Sequence, residues 1–132
     1  MINKKTGVIK IGDNLEISPT YKFDDYKKTP YYRDEDGIKE IILSKEQIIE
    51  GRHYFVSLIF RNQLIYSVSL INSDKIFSEK EEPKRKEVHD EILQRCGITQ
   101  NHEYKWGKIL SEYDSRSNMS SISIYYNSIM KP

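Results

Sequence analysis

Apolar and polar positions alternate along His53 to Asn72, HYFVSLIFRNQLIYSVSLIN, and alternation with a period of two is the mark of a half-buried strand. In the first arm Tyr54, Val56, Leu58 and Phe60 fall on one face and Phe55, Ser57 and Ile59 on the other. In the second arm Leu64, Tyr66, Val68 and Leu70 share a face, with Ile65, Ser67, Ser69 and Ile71 opposite. The pattern predicts a hairpin. A three-residue loop at Arg61, Asn62 and Gln63 pairs Phe60 with Leu64, Leu58 with Tyr66, Val56 with Val68 and Tyr54 with Leu70, so every apolar residue meets an apolar partner. A two-residue loop slips the arms by one and sets Leu58 against a serine, which argues for the longer loop. At about 1.5 to 3 kcal/mol for each large side chain buried, that face contributes on the order of 10 to 20 kcal/mol before chain entropy is subtracted.

Shorter signals flank this ribbon. Gly7 to Ile11 and Leu15 to Ile17 read as two strands about a Gly12-Asp13-Asn14 turn. Thr20 can cap a helical turn or two ending at Tyr26, with Asp24 and Asp25 near its positive end. Lys27 to Gly37 (KKTPYYRDEDG) has no period and predicts a surface loop, Ile38 to Leu43 a strand, and Ser44 to Gln47 a connector. Downstream, Val88, Ile92, Leu93 and Cys96 form one stripe after Pro83, predicting an amphipathic helix over about 82–96 that Gly97 terminates. Tyr104 to Asp114 and Ser120 to Asn127 predict a second hairpin, with Ile122, Ile124 and Tyr126 on one face. The chain therefore reads as one α+β domain. It is an antiparallel sheet of about five to seven strands built from hairpins, covered on one face by a single main helix. The serines at 57, 67, 69, 121 and 123 fall on the opposite, wetter face.

Composition narrows the function classes. The 132 residues suit a single core, and a formal charge of +1 provides no overall field to attract nucleic acid or an anionic membrane. Lys84-Arg85-Lys86 is the sharpest basic cluster, but Glu79, Glu81, Glu82, Glu87, Asp90 and Glu91 bracket it, so it reads as a solvated helix face. No apolar run approaches 18 residues, the lysine-broken N-terminus lacks a secretory pattern, and the one cysteine, Cys96, forms no disulfide framework. The expectation is a cytoplasmic protein without a membrane segment. The absence of alanine beside many Ile, Lys, Tyr and Asn residues suggests an AT-rich bacterial genome.

Candidate chemistry is sparse. His53, His89 and His102 show no metal-ligand spacing, and His89 and Cys96 lie two helical turns apart, about 10 Å, too far for a direct dyad. Asp114 to Asn118 reads as a hairpin turn, since Arg116 interrupts what would be a cation loop. No catalytic, cofactor-binding or metal residue is assigned. Tyrosines are more informative. There are ten, and Tyr31, Tyr32, Tyr113 and Tyr125 fall where a core does not require them. Tyrosine offers wide contact at low entropy cost with a polar tip, which suits a binding surface. Tyr31, Tyr32, Arg33, Asp34 and Asp36 in the charged loop, with Tyr125 on the serine face, are the candidate partner-binding residues.

The stretch WGKILSEYDSRSNMSSISIYY, preceded by FVSLIFRNQLIYSVSL, resembles small uncharacterised bacterial α+β proteins with a Trp-Gly strand, a Tyr-Asp turn and a Ser-rich last strand. Some proteins of this kind look like immunity proteins, which neutralise a toxin by covering it. That resemblance implies a non-enzymatic protein-binding module with a protein partner, such as a toxin. The alternative is a small-ligand or catalytic domain with a site between helix and sheet, using His53 or His89.

Overall fold

The computed structural model describes residues 1–127. Its elements run β1 (Ile9–Ile11), β2 (Leu15–Ile17), α1 (Phe23–Tyr26), β3 (Glu40–Ile42), β4 (Gln47–Ile49), β5 (Arg52–Arg61) and β6 (Leu64–Asn72). A 3-10 segment (Glu79–Lys84) then leads into α2 (Arg85–Arg95), followed by β7 (Gly107–Asp114) and β8 (Met119–Tyr126). Six strands form one antiparallel sheet in the order β3-β5-β6-β8-β7, with β4 also paired to β5, while β1 and β2 make a separate ribbon. The architecture is the expected α+β one. The connector expected at Ser44 to Gln47 stops short of Gln47, which instead opens β4, because Gln47 and Ile49 alternate inward against Tyr54 and Arg52.

The central hairpin solves its register differently from the sequence expectation. Only Asn62 and Gln63 form the turn, both at positive φ (52° and 67°), the conformation whose twist suits two-residue hairpins. Arg61 thus pairs with Leu64 and Phe60 with Ile65, but the register shifts before Ile59, which pairs with Ser67 and leaves Tyr66 as an extra residue. That bulge puts Leu58 opposite Val68 and Val56 opposite Leu70, a shift of two from the expected Leu58–Tyr66 and Val56–Val68 pairs that still sets apolar residues against each other. A tight turn and apolar matching therefore coexist, at the cost of sending Leu64 and Tyr66 off the buried face and putting Ile65 in their place.

The inner face is roofed by two neighbours rather than by the helix alone. α2 covers the β6-β8-β7 half through Ile92, Leu93 and His89, all buried. Ser120 and Ser111 lie beneath it and donate their hydroxyls to the carbonyls of Glu82 (3.3 Å) and Lys86 (3.5 Å). The first turn of the 3-10 segment is capped by Ser78, which accepts from the Glu81 N–H, and Gly97 at φ +70° ends α2 as expected. Over the other end, Phe23 and Tyr26 of α1 pack on Phe60, with Phe23 edge-on at 5.4 Å. Thr20 does not cap this turn; Asp25 does, accepting from the Lys22 N–H at 3.0 Å. The N-terminal segment is pinned to the last hairpin: Trp106 donates to the Lys4 carbonyl (2.8 Å) and Tyr126 to that of Gly7 (2.9 Å). A Cβ on Gly7 would sit 2.6 Å from the Trp106 ring, so the contact requires glycine.

Candidate binding surface

With both helices on the inner side, the opposite face of the sheet carries no helix, and the pairing registers let its rows be read straight across. One row runs Ile42, Ser57, Ser69, Ser123, Leu110; the next runs Glu40, Ile59, Ser67, Tyr125, Lys108. Toward the other end Phe55 stands opposite Ile71, and Ile48 opposite His53. Ile42, Ile48 and Phe55 are exposed by 71%, 54% and 46%, and half-buried Ile59 and Ile71 extend the apolar area between them. The large apolar groups gather on the β3-β4-β5 side, and serines floor the centre.

Tyr125 closes the far side of this face. Its hydroxyl donates to the Glu112 carboxylate (3.1 Å), its ring meets Tyr66 edge-on at 5.9 Å, and the Arg61 guanidinium lies 3.6 Å from the Tyr66 ring centroid. Burial and then the Glu112 charge push the Tyr125 phenol above its ordinary pKa. The bulge is what delivers Tyr66 to this cluster. Beneath it Ser67 and Ser123 are only 4% and 6% exposed, so the serine stripe is less wet than alternation alone implies. Ser123 also bonds Glu112 (3.3 Å).

The charged loop stands at the β3 margin, and its two tyrosines are anchored. Tyr31 donates to Gln47 Oε1 (3.1 Å), and Tyr32 packs edge-on against Phe23 and Tyr26 under the Lys27 ammonium. The Tyr32 hydroxyl donates to Asp36 (2.8 Å), a bond that pushes its pKa up to about 12. Tyr26 shares its proton between the Tyr31 carbonyl (3.0 Å) and Glu35 Oε2 (2.9 Å), while Glu35 Oε1 accepts from the Arg33 N–H (2.6 Å). Asp34, exposed at φ +61°, supplies the bend. Tyr31 and Arg33 share a cleft with Ile42, so the loop joins the end of the outer row. Tyr32 and Asp36 face α1 instead, and Tyr125 lies three strands from β3 along the sheet order, roughly 14 Å at ordinary strand spacing.

The sequence reading did not single out Ile42, Ile48 and Phe55. The signal was present: Phe55 shares the phase of Ser57 rather than of Leu58, and an aromatic ring on the polar side of an amphipathic strand marks contact beyond the fold.

Neither histidine of the alternative reading faces a pocket beneath the helix. His89 is wholly buried, and its Nε2 accepts the Asn72 backbone N–H (3.0 Å). Burial, followed by the Arg85 charge, pulls its pKa down to about 4. His53 is half-exposed at a strand end, with Nδ1 3.0 Å from Asp74, whose carboxyl is held below its usual range first by the Asn72 amide. Among the described residues no group of three or more His, Cys, Asp or Glu side chains could hold a metal ion, and no helix is long and apolar enough to cross a membrane. No protein-family model, curated protein or solved structure matches the chain.

Proposed function

We propose that the chain is a non-enzymatic protein-binding module that engages one protein partner through the helix-free face of its sheet, in the manner of an immunity or inhibitor protein. The observation that supports this is the group of three large apolar side chains, Ile42, Ile48 and Phe55, held open to solvent on neighbouring rigid strands. Burying what remains exposed of each against a partner is worth about 1 to 2 kcal/mol, so a fold that leaves them uncovered forgoes stability that a complex would recover. Tyr66 and Tyr125 give the far rim aromatic contact with polar tips, Tyr31 and Arg33 form the near rim, and Tyr32, Asp34 and Asp36 hold the loop that carries them. A toxin expressed in the same cytoplasm is the partner that the immunity-type reading supplies.

The test is affinity capture from the native host with the wild-type chain and with Ile42→Asp/Phe55→Asp, both exposed positions whose change leaves the inner core intact. The expected result is a discrete partner whose affinity for the double variant falls at least about 100-fold, close to 3 kcal/mol. Equal capture by a folded double variant, or alanine at Tyr31, Tyr32 and Asp34 together with no loss of affinity, would remove the surface from consideration.

A further inference from the structure

The cleft between the charged loop and the β3-β4 connector sets two cations beside an aromatic wall. It measures about 360 Å³, within the range of small-molecule sites, and Tyr26, Pro30, Tyr31, Ile42 and Leu43 supply apolar and aromatic wall. Its Glu35 and Gln47 side-chain acceptors are occupied. Glu35 takes the Tyr26 hydroxyl and the Arg33 N–H, and Gln47 Oε1 takes the Tyr31 hydroxyl while Gln47 Nε2 is spent on the Lys45 carbonyl. Gly12, at φ +60° with the site of its Cβ 2.8 Å from Gln47 Oε1, lets the turn of the β1-β2 ribbon close against that pair. Its cations are not occupied. Arg33 and Lys45 both line the cleft, and like most basic side chains among the described residues neither forms an ion pair.

A cleft with two cations outside any ion pair, the Asn14 and Ser44 side chains as further polar groups and an aromatic wall can hold an anionic group on a small apolar body. We infer that it is a binding site for a small organic acid, the carboxylate held by Arg33 and Lys45 and the apolar body lying against Tyr31 and Ile42. A planar guanidinium can hold a carboxylate through two parallel hydrogen bonds, and the lysine adds a point charge. The fixed Glu35 carboxylate opposes a second negative charge deeper in the cleft, which favours a monoanion over a phosphate. The site shares Tyr31, Arg33 and Ile42 with the proposed partner-binding face but needs no protein partner to be occupied.

Benzoate is the probe, benzamide its uncharged control and inorganic phosphate its apolar-free control, each titrated into the uniformly 15N-labelled chain. The expected result is saturable shifts of the Arg33, Ser44 and Lys45 amides with benzoate, weaker with phosphate, absent with benzamide, and reduced by added salt. Arg33→Gln and Lys45→Gln are each expected to weaken benzoate by about tenfold, with the exposed side chains leaving the fold intact. Phe55→Asp is expected to leave benzoate binding unchanged, which separates this site from the partner face. Shifts that fail to saturate, that map elsewhere, that benzamide reproduces, or that survive in Arg33→Gln/Lys45→Gln would overturn the inference.

Discussion

Lowering the pH from 7.5 to 5 acts on His89 more than on any other group that titrates in that window. The ring is wholly buried, its Nε2 accepts the Asn72 N–H, and its Nδ1 proton has no partner. A second proton can enter only at Nε2, against the donor already there and in a site that burial keeps from solvating the charge, with the Arg85 charge opposing it further and Asp90 and Glu82 acting in the other direction. The folded pKa is about 4 against an ordinary 6.5, so the unfolded chain binds more protons between those values and stability falls as the pH falls. The neutral histidine's full contribution is present above pH 6.5 and is lost progressively toward pH 4. A shift of 2.5 from 6.5 to 4, at 1.36 kcal/mol each, is about 3 kcal/mol in all, of which linkage places about 2 kcal/mol above pH 5. Asp74 and Asp90, both held below the usual carboxylate range, add their loss at lower pH and do not contaminate this interval. Urea denaturation at pH 7.5, 6 and 5 on the wild type and on His89→Gln isolates the effect. The glutamine variant is less stable at every pH but is expected to lose the slope. A His89 ring that titrates near 6.5 by NMR, or an undiminished slope in His89→Gln, would refute the reasoning.

Gln63→Gly relieves a side chain held at φ +67° in a two-residue turn while keeping the carbonyl that accepts from Phe23 N–H. It is expected to stabilise by about 0.5–1 kcal/mol, raising the melting temperature by a few degrees in calorimetry. Gly107→Ala places a Cβ 1.9 Å from the Tyr125 carbonyl oxygen, so the β7-β8 pairing must open where it begins. A loss of about 3 kcal/mol or more in denaturant unfolding is expected, and a loss under 1 kcal/mol would show that the two strands part there without cost.

The strands of the central hairpin, the last hairpin and the long helix were legible because each keeps an apolar period over most of its length, even though burial changes phase in β6 at the Tyr66 bulge. The register was not. It depends on a choice between a longer loop and a tight turn with a bulge, and each sets apolar residues opposite one another through different pairs; the deciding quantity is backbone twist at Asn62 and Gln63. β4 was missed because its first residue, the polar Gln47, reads as part of the connector and leaves only Ile48 and Ile49, and its pairing with Arg52 to Tyr54 comes from the tight turn at Glu50-Gly51, both at positive φ. For the candidate surface, the sequence placed Tyr125 on the outer face and the loop at the surface. It could not place Ile42 beside Tyr31, because that contact joins a loop to a strand through tertiary packing alone. Nor could it show that Tyr32 is anchored against Phe23 and Tyr26.

Isoleucine methyl groups mark both faces of the sheet, Ile42, Ile48, Ile59 and Ile71 outside and Ile41, Ile109, Ile122 and Ile124 inside. Methyl NMR of the isoleucine-labelled chain, recorded before and after adding the captured partner, therefore reads the face of engagement directly. The account predicts large shifts confined to the outer set; shifts confined to the inner set, or to neither, would contradict it.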